Sequence, residues 1–242
     1  MKRHLAFIAS FVVLLAAFPA FAQEEVAVIQ YGEAVTGEIT DQNFEVPYKF
    51  VGTQGDVVII QMSQVETLGD LDWPALILLD VNSRMMGQND GIGDVTLAAK
   101  LPADGEYTIL ATRGDGRVGD SVGEFTLTIQ KPPVLVVGEP MSAQITSEQD
   151  RYYTVEVPGT FGVEYVKKAG DFFPAITVHR VTSDCTLEEV ASLQGDALIG
   201  GKLVLESQST YIAETFIVVI KEALWDWNWD TVSASYEVSV TQ

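Results

Sequence analysis

Apolar and polar residues alternate with a period of two along most of this chain, and that alternation predicts strands. Phe44, Val46, Tyr48 and Phe50 face one way, while Glu45, Pro47 and Lys49 face the other. Tyr107, Ile109 and Ala111 alternate in the same way with Thr108, Leu110 and Thr112. Phe125, Leu127 and Ile129 alternate with Thr126, Thr128 and Gln130, and Tyr153, Val155 and Val157 with Thr154 and Glu156. Half-buried strands of stacked antiparallel sheets carry this signature. Two continuous apolar runs, Val57-Val58-Ile59-Ile60 and Ile217-Val218-Val219-Ile220, suit central strands. Turn chemistry lies between the strands at Gly55-Asp56, Asp90-Gly91, Asp104-Gly105, Gly114-Asp115-Gly116 and Gly170-Asp171. No amphipathic helix of ordinary length interrupts the pattern. The expected class is all-β, as two tandem antiparallel β-sandwich, jelly-roll-like domains.

The pattern is written twice. Gly32-Glu33 followed by Ile39-Thr40 returns as Gly138-Glu139 followed by Ile145-Thr146. Asp72-Trp73-Pro74-Ala75-Leu76 is echoed by Phe172-Phe173-Pro174-Ala175-Ile176, and Phe125–Ile129 by Tyr236–Val240. A spacing of about 100 residues is one domain length, so a module has been duplicated in tandem. Lys131-Pro132-Pro133 marks the boundary, since two prolines cannot continue a central strand. The expected organisation is a first sandwich over 23–130, a Pro-rich linker over 131–137 and a second, degenerate sandwich over 138–242. So short a linker implies that the two domains touch or hold a limited range of angles.

The first 22 residues have the form of a signal peptide. Lys2, Arg3 and His4 give a basic start, Leu5 to Phe18 an apolar core, and Ala20-Phe21-Ala22 a cleavage site. The apolar run is short for a membrane span, and no apolar tail follows Val240, so the expected location is secreted or periplasmic without a membrane anchor. A formal charge of −20 argues against nucleic acid or anionic lipid as a partner, because Coulomb repulsion opposes the encounter. One cysteine, Cys185, leaves no intrachain disulfide, so packing must stabilise the fold, helped by a metal if one binds.

A series of short motifs crosses the first repeat in order. They are Gly32-Glu33-x-Val35-x-Gly37-x-Ile39, Tyr48-x-Phe50, Gly55-Asp56-x-Val58 and Pro74-x-Leu76-x-Leu78-Leu79-Asp80. Asn89-Asp90-Gly91, Leu101-Pro102-Ala103-Asp104-Gly105-x-Tyr107 and Phe125-Thr126-Leu127 complete the series. In that order the repeat, from Tyr31 to Gln130, resembles the bacterial pre-peptidase C-terminal (PPC) domain. The second repeat keeps the opening, Pro174 and the last strand, and lacks a Leu-Pro-Ala-Asp-Gly equivalent. The resemblance implies a non-catalytic accessory β-sandwich that binds substrate or matrix and, in some members, calcium.

Catalytic groups are scarce. Outside the leader the one histidine is His179, which alternation places on the polar face of its strand. There is no Gly-x-Ser-x-Gly elbow, and His179 and Cys185 alone cannot make a zinc site. The chain is therefore read as a non-enzyme. Calcium is the cofactor to consider, because Asp70, Asp72, Asp80, Asn82, Asn89, Asp90 and Asp94 supply hard oxygens around one strand and its loops. Turn preference alone also puts Asp and Asn there, and Asp72 and Asp80 bracket a strand. In Trp225-Asp226-Trp227-Asn228-Trp229-Asp230, strand spacing would set Trp225, Trp227 and Trp229 on one face. Such a row is either a platform for sugar rings or a protein partner, or packing for the core or the interdomain seam. Arg113-Gly114-Asp115 spells an adhesion tripeptide within an ordinary Gly-rich turn, and Cys185 shows no sign of thiolate activation.

The expected function is a secreted, non-catalytic binding or accessory module for carbohydrate or cell-wall polymer. The alternative is a structural or regulatory protein-interaction module of the envelope or of a secreted peptidase.

Overall fold

The computed structural model describes residues 26–195, 199–207, 214–223 and 231–242 of the 242. The first half contains β1 (Ala27–Val28), β2 (Ala34–Ile39), β3 (Glu45–Gly52), β4 (Val57–Asp70), β5 (Pro74–Leu79), β6 (Met85–Asp90), β7 (Val95–Lys100), β8 (Gly105–Arg113) and β9 (Val122–Gln130). The second contains β10 (Met141–Thr146), β11 (Arg151–Val157), β12 (Phe161–Gly170), β13 (Pro174–Val181), β14 (Leu187–Gln194), β15 (Lys202–Ser207), β16 (Glu214–Glu222) and β17 (Ser233–Thr241).

These strands form four sheets. Sheet I has the order β1-β3-β8-β5-β6, sheet II β2-β9-β4-β7, sheet III β11-β16-β13-β14 and sheet IV β10-β17-β12-β15. Counting eight strands from β2 and again from β10, both halves have one sheet of order 1-8-3-6 and one of order 2-7-4-5. That is the jelly-roll arrangement, built twice. Sheets I and II enclose one core, around Phe50, Ile60, Leu76, Tyr107 and Phe125. Sheets III and IV enclose the other, around Val155, Phe161, Tyr165, Phe216 and Tyr236. The second core is the more polar: Tyr153 and Tyr236 join hydroxyls at 2.5 Å, and Tyr165 stacks on Tyr236 with centroids 4.9 Å apart.

A third apolar cluster explains the two continuous apolar runs. Ile59 and Ala98 of sheet II pack on Tyr152, Ile217 and Val219 of sheet III, with Val57, Val181 and Leu187 alongside. Val57, Ile59 and Gln61 of β4 therefore face the seam, while Val58, Ile60 and Met62 face the first core. Burial on both sides removes any need for a polar face. The molecule is thus a stack of four sheets, I to IV. Gln61 Nε2 donates to Tyr152 Oη across the seam at 2.9 Å, and Lys100 pairs with Glu156 at 2.7 Å.

Two turns with one geometry behave differently at this seam. Between β5 and β6, Asp80 N–H donates to Arg84 O and Ser83 has φ 59°. Between β13 and β14, Thr182 N–H donates to Thr186 O and Cys185 has φ 65°. Ser83 is exposed, whereas Cys185 is 4% exposed and belongs to the first sandwich's core. Cys185 O accepts from the N–H of Ala98 on edge strand β7 at 2.9 Å. Gly87 of β6 makes room for the turn, because a Cβ there would collide with the carbonyl of Asp184.

Residues 131–137, expected as a linker, bond into the second sandwich. Val134 bridges Thr154 and Val137 bridges Val240, both in parallel. Leu135, 3% exposed, sits in the second core just as Ile29, 1% exposed, sits in the first. The segment is the repeat's opening strand, the counterpart of β1, which pairs in parallel with β3. Proline is tolerated because this strand lies at a sheet edge.

Candidate functional site

Sheets II and III cover each other, which leaves the outward faces of sheets I and IV open. The outward face of sheet IV carries Ser142, Ser235, Ser239, Glu206 and the ion pairs Lys168–Glu237 and Lys202–Glu164. Its groups are small hydroxyls, charges that largely neutralise each other and the exposed apolar side chain of Val204. The outward face of sheet I holds a depression of about 290 Å³ at one end.

Strand register builds that depression. One row across sheet I reads Glu45, Thr112, Ala75, Asp90, and the next reads Pro47, Leu110, Ile77, Gln88. Ala75 and Thr112 are small and buried, so the first row dips in the middle between two carboxylates. Thr112 Oγ1 is committed to Phe44 O at 2.7 Å. Leu110 and Ile77 raise one side, and the loop Gly114-Asp115-Gly116 closes another. Arg113 beneath that loop is 3% exposed. It donates from Nε to Gly116 O at 2.9 Å, and from Nη1 to Ser121 O at 3.2 Å and to Asp41 at 3.1 Å. With its guanidinium buried, Arg113-Gly114-Asp115 is a loop anchor and not an adhesion tripeptide.

Trp73 lies beside the depression, against two of its lining residues, Asp90 and Gly114. It is 45% exposed, the highest exposure of any aromatic residue among those described. Its indole Nε1 donates to Asp90 Oδ2 at 2.6 Å, and its backbone N–H donates to Ser121 Oγ at 3.1 Å. Its carbonyl accepts from Gly114 N–H at 2.7 Å, and the pyrrole ring lies so close over Gly114 that a Cβ there would collide with it. An exposed indole held at three points is a preformed contact surface. Trp73 occurs singly and so gives no signal along the chain; its signal is the pairing of Trp73 with Asp90-Gly91, which only the sheet brings together.

The calcium candidates divide between two ends of the sandwich. Asp72, Asn89, Asp90 and Asp94 lie at the Pro74 end of β5, whereas Asp80 and Asn82 lie beyond its other end, roughly 20 Å of strand away. Asp80 Oδ1 caps its own turn by accepting from the N–H of Asn82 and of Arg84, both at 2.8 Å. Those bonds, Arg84's first, hold its carboxyl below the usual range. Asn89 Nδ2 donates to Thr96 O at 2.9 Å, and Asp90 is bound to Trp73. Among the described residues no three His, Cys, Asp or Glu side chains gather as a metal would require. The described candidates therefore fall into two groups held apart by β5, as the bracketing of one strand by Asp72 and Asp80 implies. The side chain of Asp70, and the residues Trp225, Trp227 and Trp229, lie outside the described residues.

His179 is half-buried rather than solvated. A bulge at Val178/His179 turns it along the strand, and Nε2 meets Thr177 Oγ1 at 2.9 Å. Burial, reinforced by Lys221 and opposed by Glu189, lowers its pKa, so the ring is neutral at neutral pH. Burial and then Asp184 push the Cys185 thiol up to about 11, which removes it as a nucleophile.

No family model matches the chain, and no curated protein matches it. Among solved structures it is similar to the M60 catalytic domain with the CBM51-1 and CBM51-2 domains of Clostridium perfringens ZmpB. Identity there is 10% and the TM-score 0.23, over 81% of this chain and 33% of that one, so the chain spans about a third of that structure. It is also similar to the CBM22-1-CBM22-2 tandem of Paenibacillus barcinonensis Xyn10C, at 11% identity and a TM-score of 0.22, over 80% and 82% of the two chains. A third likeness is infectious bursal disease virus Gx strain, at 10% identity and a TM-score of 0.23, over 86% and 70%. Likenesses this remote carry no functional argument. No helix among the described residues is long and apolar enough to cross a membrane.

Proposed function

We propose that this chain is an exported, non-catalytic recognition module that binds a carbohydrate polymer in the depression on sheet I. The observation that carries the reading is Trp73: an indole 45% exposed, yet fixed by Asp90 and Gly114 beside an open trough. A sugar ring presents one apolar face and a girdle of hydroxyls. An indole stacks on the former, and Glu45, Gln88 and Asp90 offer acceptors and donors to the latter. The volume, about 290 Å³, is at the small end of ligand sites, and an open trough suits an internal stretch of a linear chain. The PPC resemblance belongs to the same proposal, with the accessory role it implies.

The test is retention on insoluble polysaccharides of the chain lacking residues 1–22. Wild type, Trp73→Ala and the triple variant Trp225→Ala/Trp227→Ala/Trp229→Ala are compared, each checked for folding by circular dichroism. Retention lost in Trp73→Ala and kept in the triple variant supports the trough. Retention lost only in the triple variant moves the site to the tryptophan segment. A wild type that sticks to no polysaccharide overturns the reading.

A further inference from the structure

The trough's charge narrows its ligand further, on the assumption that it is a glycan site. Three carboxylates border it: Glu45 and Asp90 at the two ends of the sunken row, and Asp115 in the closing loop. Among the described residues none of the three is in an ion pair. The one cation lining the trough, Arg113, is buried and paired with Asp41, which cancels its charge. The nearest lysine on the same face, Lys49, is held by Glu106 at 2.6 Å. Arg117 is exposed in the closing loop, but Asp120 follows it there, so the groups around the trough still carry a negative excess, on a chain whose formal charge is already −20. A polyanion such as a uronic-acid polymer would meet repulsion at every approach. A neutral sugar would use the indole and leave the flanking carboxylates without a charged partner.

We infer that the trough recognises an amine-bearing polysaccharide, an amino-sugar polymer with free ammonium groups. One ring stacks on Trp73, and ammonium groups of neighbouring units reach the carboxylates of Glu45 and Asp115. Glu45 and Asp90 are three strands apart, roughly 14 Å at the spacing of sheet strands. A trough that wide holds several sugar units lying across the strands, so the recognised element is a run of residues and not a chain end. Asp90 has a double part: it fixes the indole through Nε1 and adds to the negative field.

The experiment compares binding of soluble glucosamine and N-acetylglucosamine hexamers by titration calorimetry, which holds the backbone constant and changes only the amine. Wild type is expected to bind the glucosamine hexamer roughly tenfold more tightly, as a charge-assisted hydrogen bond gives. Glu45→Gln/Asp115→Asn is expected to lose that preference and keep the weaker N-acetylglucosamine binding. Asparagine suits position 115, whose φ is 59°. The control Glu38→Gln/Glu206→Gln removes the same charge from exposed positions elsewhere and is expected to keep the preference. Equal binding of both hexamers by wild type overturns the amine assignment and leaves glycan recognition standing. A preference lost equally in the control overturns it as well, because only bulk attraction of polycation to polyanion would then remain. If neither hexamer binds and no polysaccharide retains the protein, both readings fall together.

Discussion

The turns Asp80–Arg84 and Thr182–Thr186 have the same hydrogen-bond frame and the same left-handed residue, but only the second enters another domain. The difference lies in the arms. Val181 and Leu187, the pair that closes β13 and β14 before the turn, contribute to the apolar seam, and the turn they carry reaches between β6 and β7. The left-handed position holds Ser83 in one turn and Cys185 in the other, a polar hydroxyl against a small apolar thiol. A duplicated module thus becomes a unit of four stacked sheets by changing one hairpin and the chemistry of two faces. The faces that stayed free also diverged: sheet I keeps a hollow with an indole beside it, and sheet IV is a field of serines and paired charges.

Putting a charge at the inserted turn tests the contrast most severely. Cys185→Asp leaves a carboxylate without a partner inside the first core, and a loss of at least about 3 kcal/mol is expected. Chemical denaturation should then show two transitions where wild type shows one, and Ser83→Asp, in the exposed turn, should leave the curve in place. Next comes Gly87→Val, which crowds Asp184 and costs about 1–3 kcal/mol in overpacking. Its signature would be faster reaction of Cys185 with a thiol reagent, with the circular dichroism of the strands unchanged.

The smallest effect is set by pH. With its folded pKa raised to about 11, Cys185 contributes fully below the unfolded thiol value of roughly 8.5. That contribution is lost as pH rises through about 11. Cys185→Ala is expected to be about 1 kcal/mol less stable than wild type at neutral pH. The gap should shrink and then reverse across the alkaline range, as followed by denaturant midpoints; a gap independent of pH would mean that the thiol ionises equally readily in the folded and unfolded protein.

Strands and their duplication were readable because each rests on neighbours in sequence: alternation reports one buried face, and unbroken apolar runs such as Val57–Ile60 report two. The seam was readable only in outline. Nothing next to Cys185 in the chain says that Gly87 and Ala98 will surround it. Trp73 was hidden for the same reason, since Asp90 and Gly114 reach it through sheet pairing, while three clustered tryptophans elsewhere drew attention by spacing alone. The calcium candidates show the reverse relation: Asp72 and Asp80, close in sequence, are carried to opposite ends of the sandwich by β5, as their bracketing of one strand implies. Arg113 shows how a motif can be spelled correctly and be inaccessible.

One consequence follows from the pairing of residues 133–137 with β11 and β17. A peptidase cleaves only where it can pull several residues of chain, fully extended, into its own cleft. Between these two domains there is no such slack, because the segment that follows β9 is stitched at once to two sheets of the second sandwich. Digestion is expected to spare that crossing and to nibble elsewhere, so the halves should leave a peptidase-rich setting still in one piece.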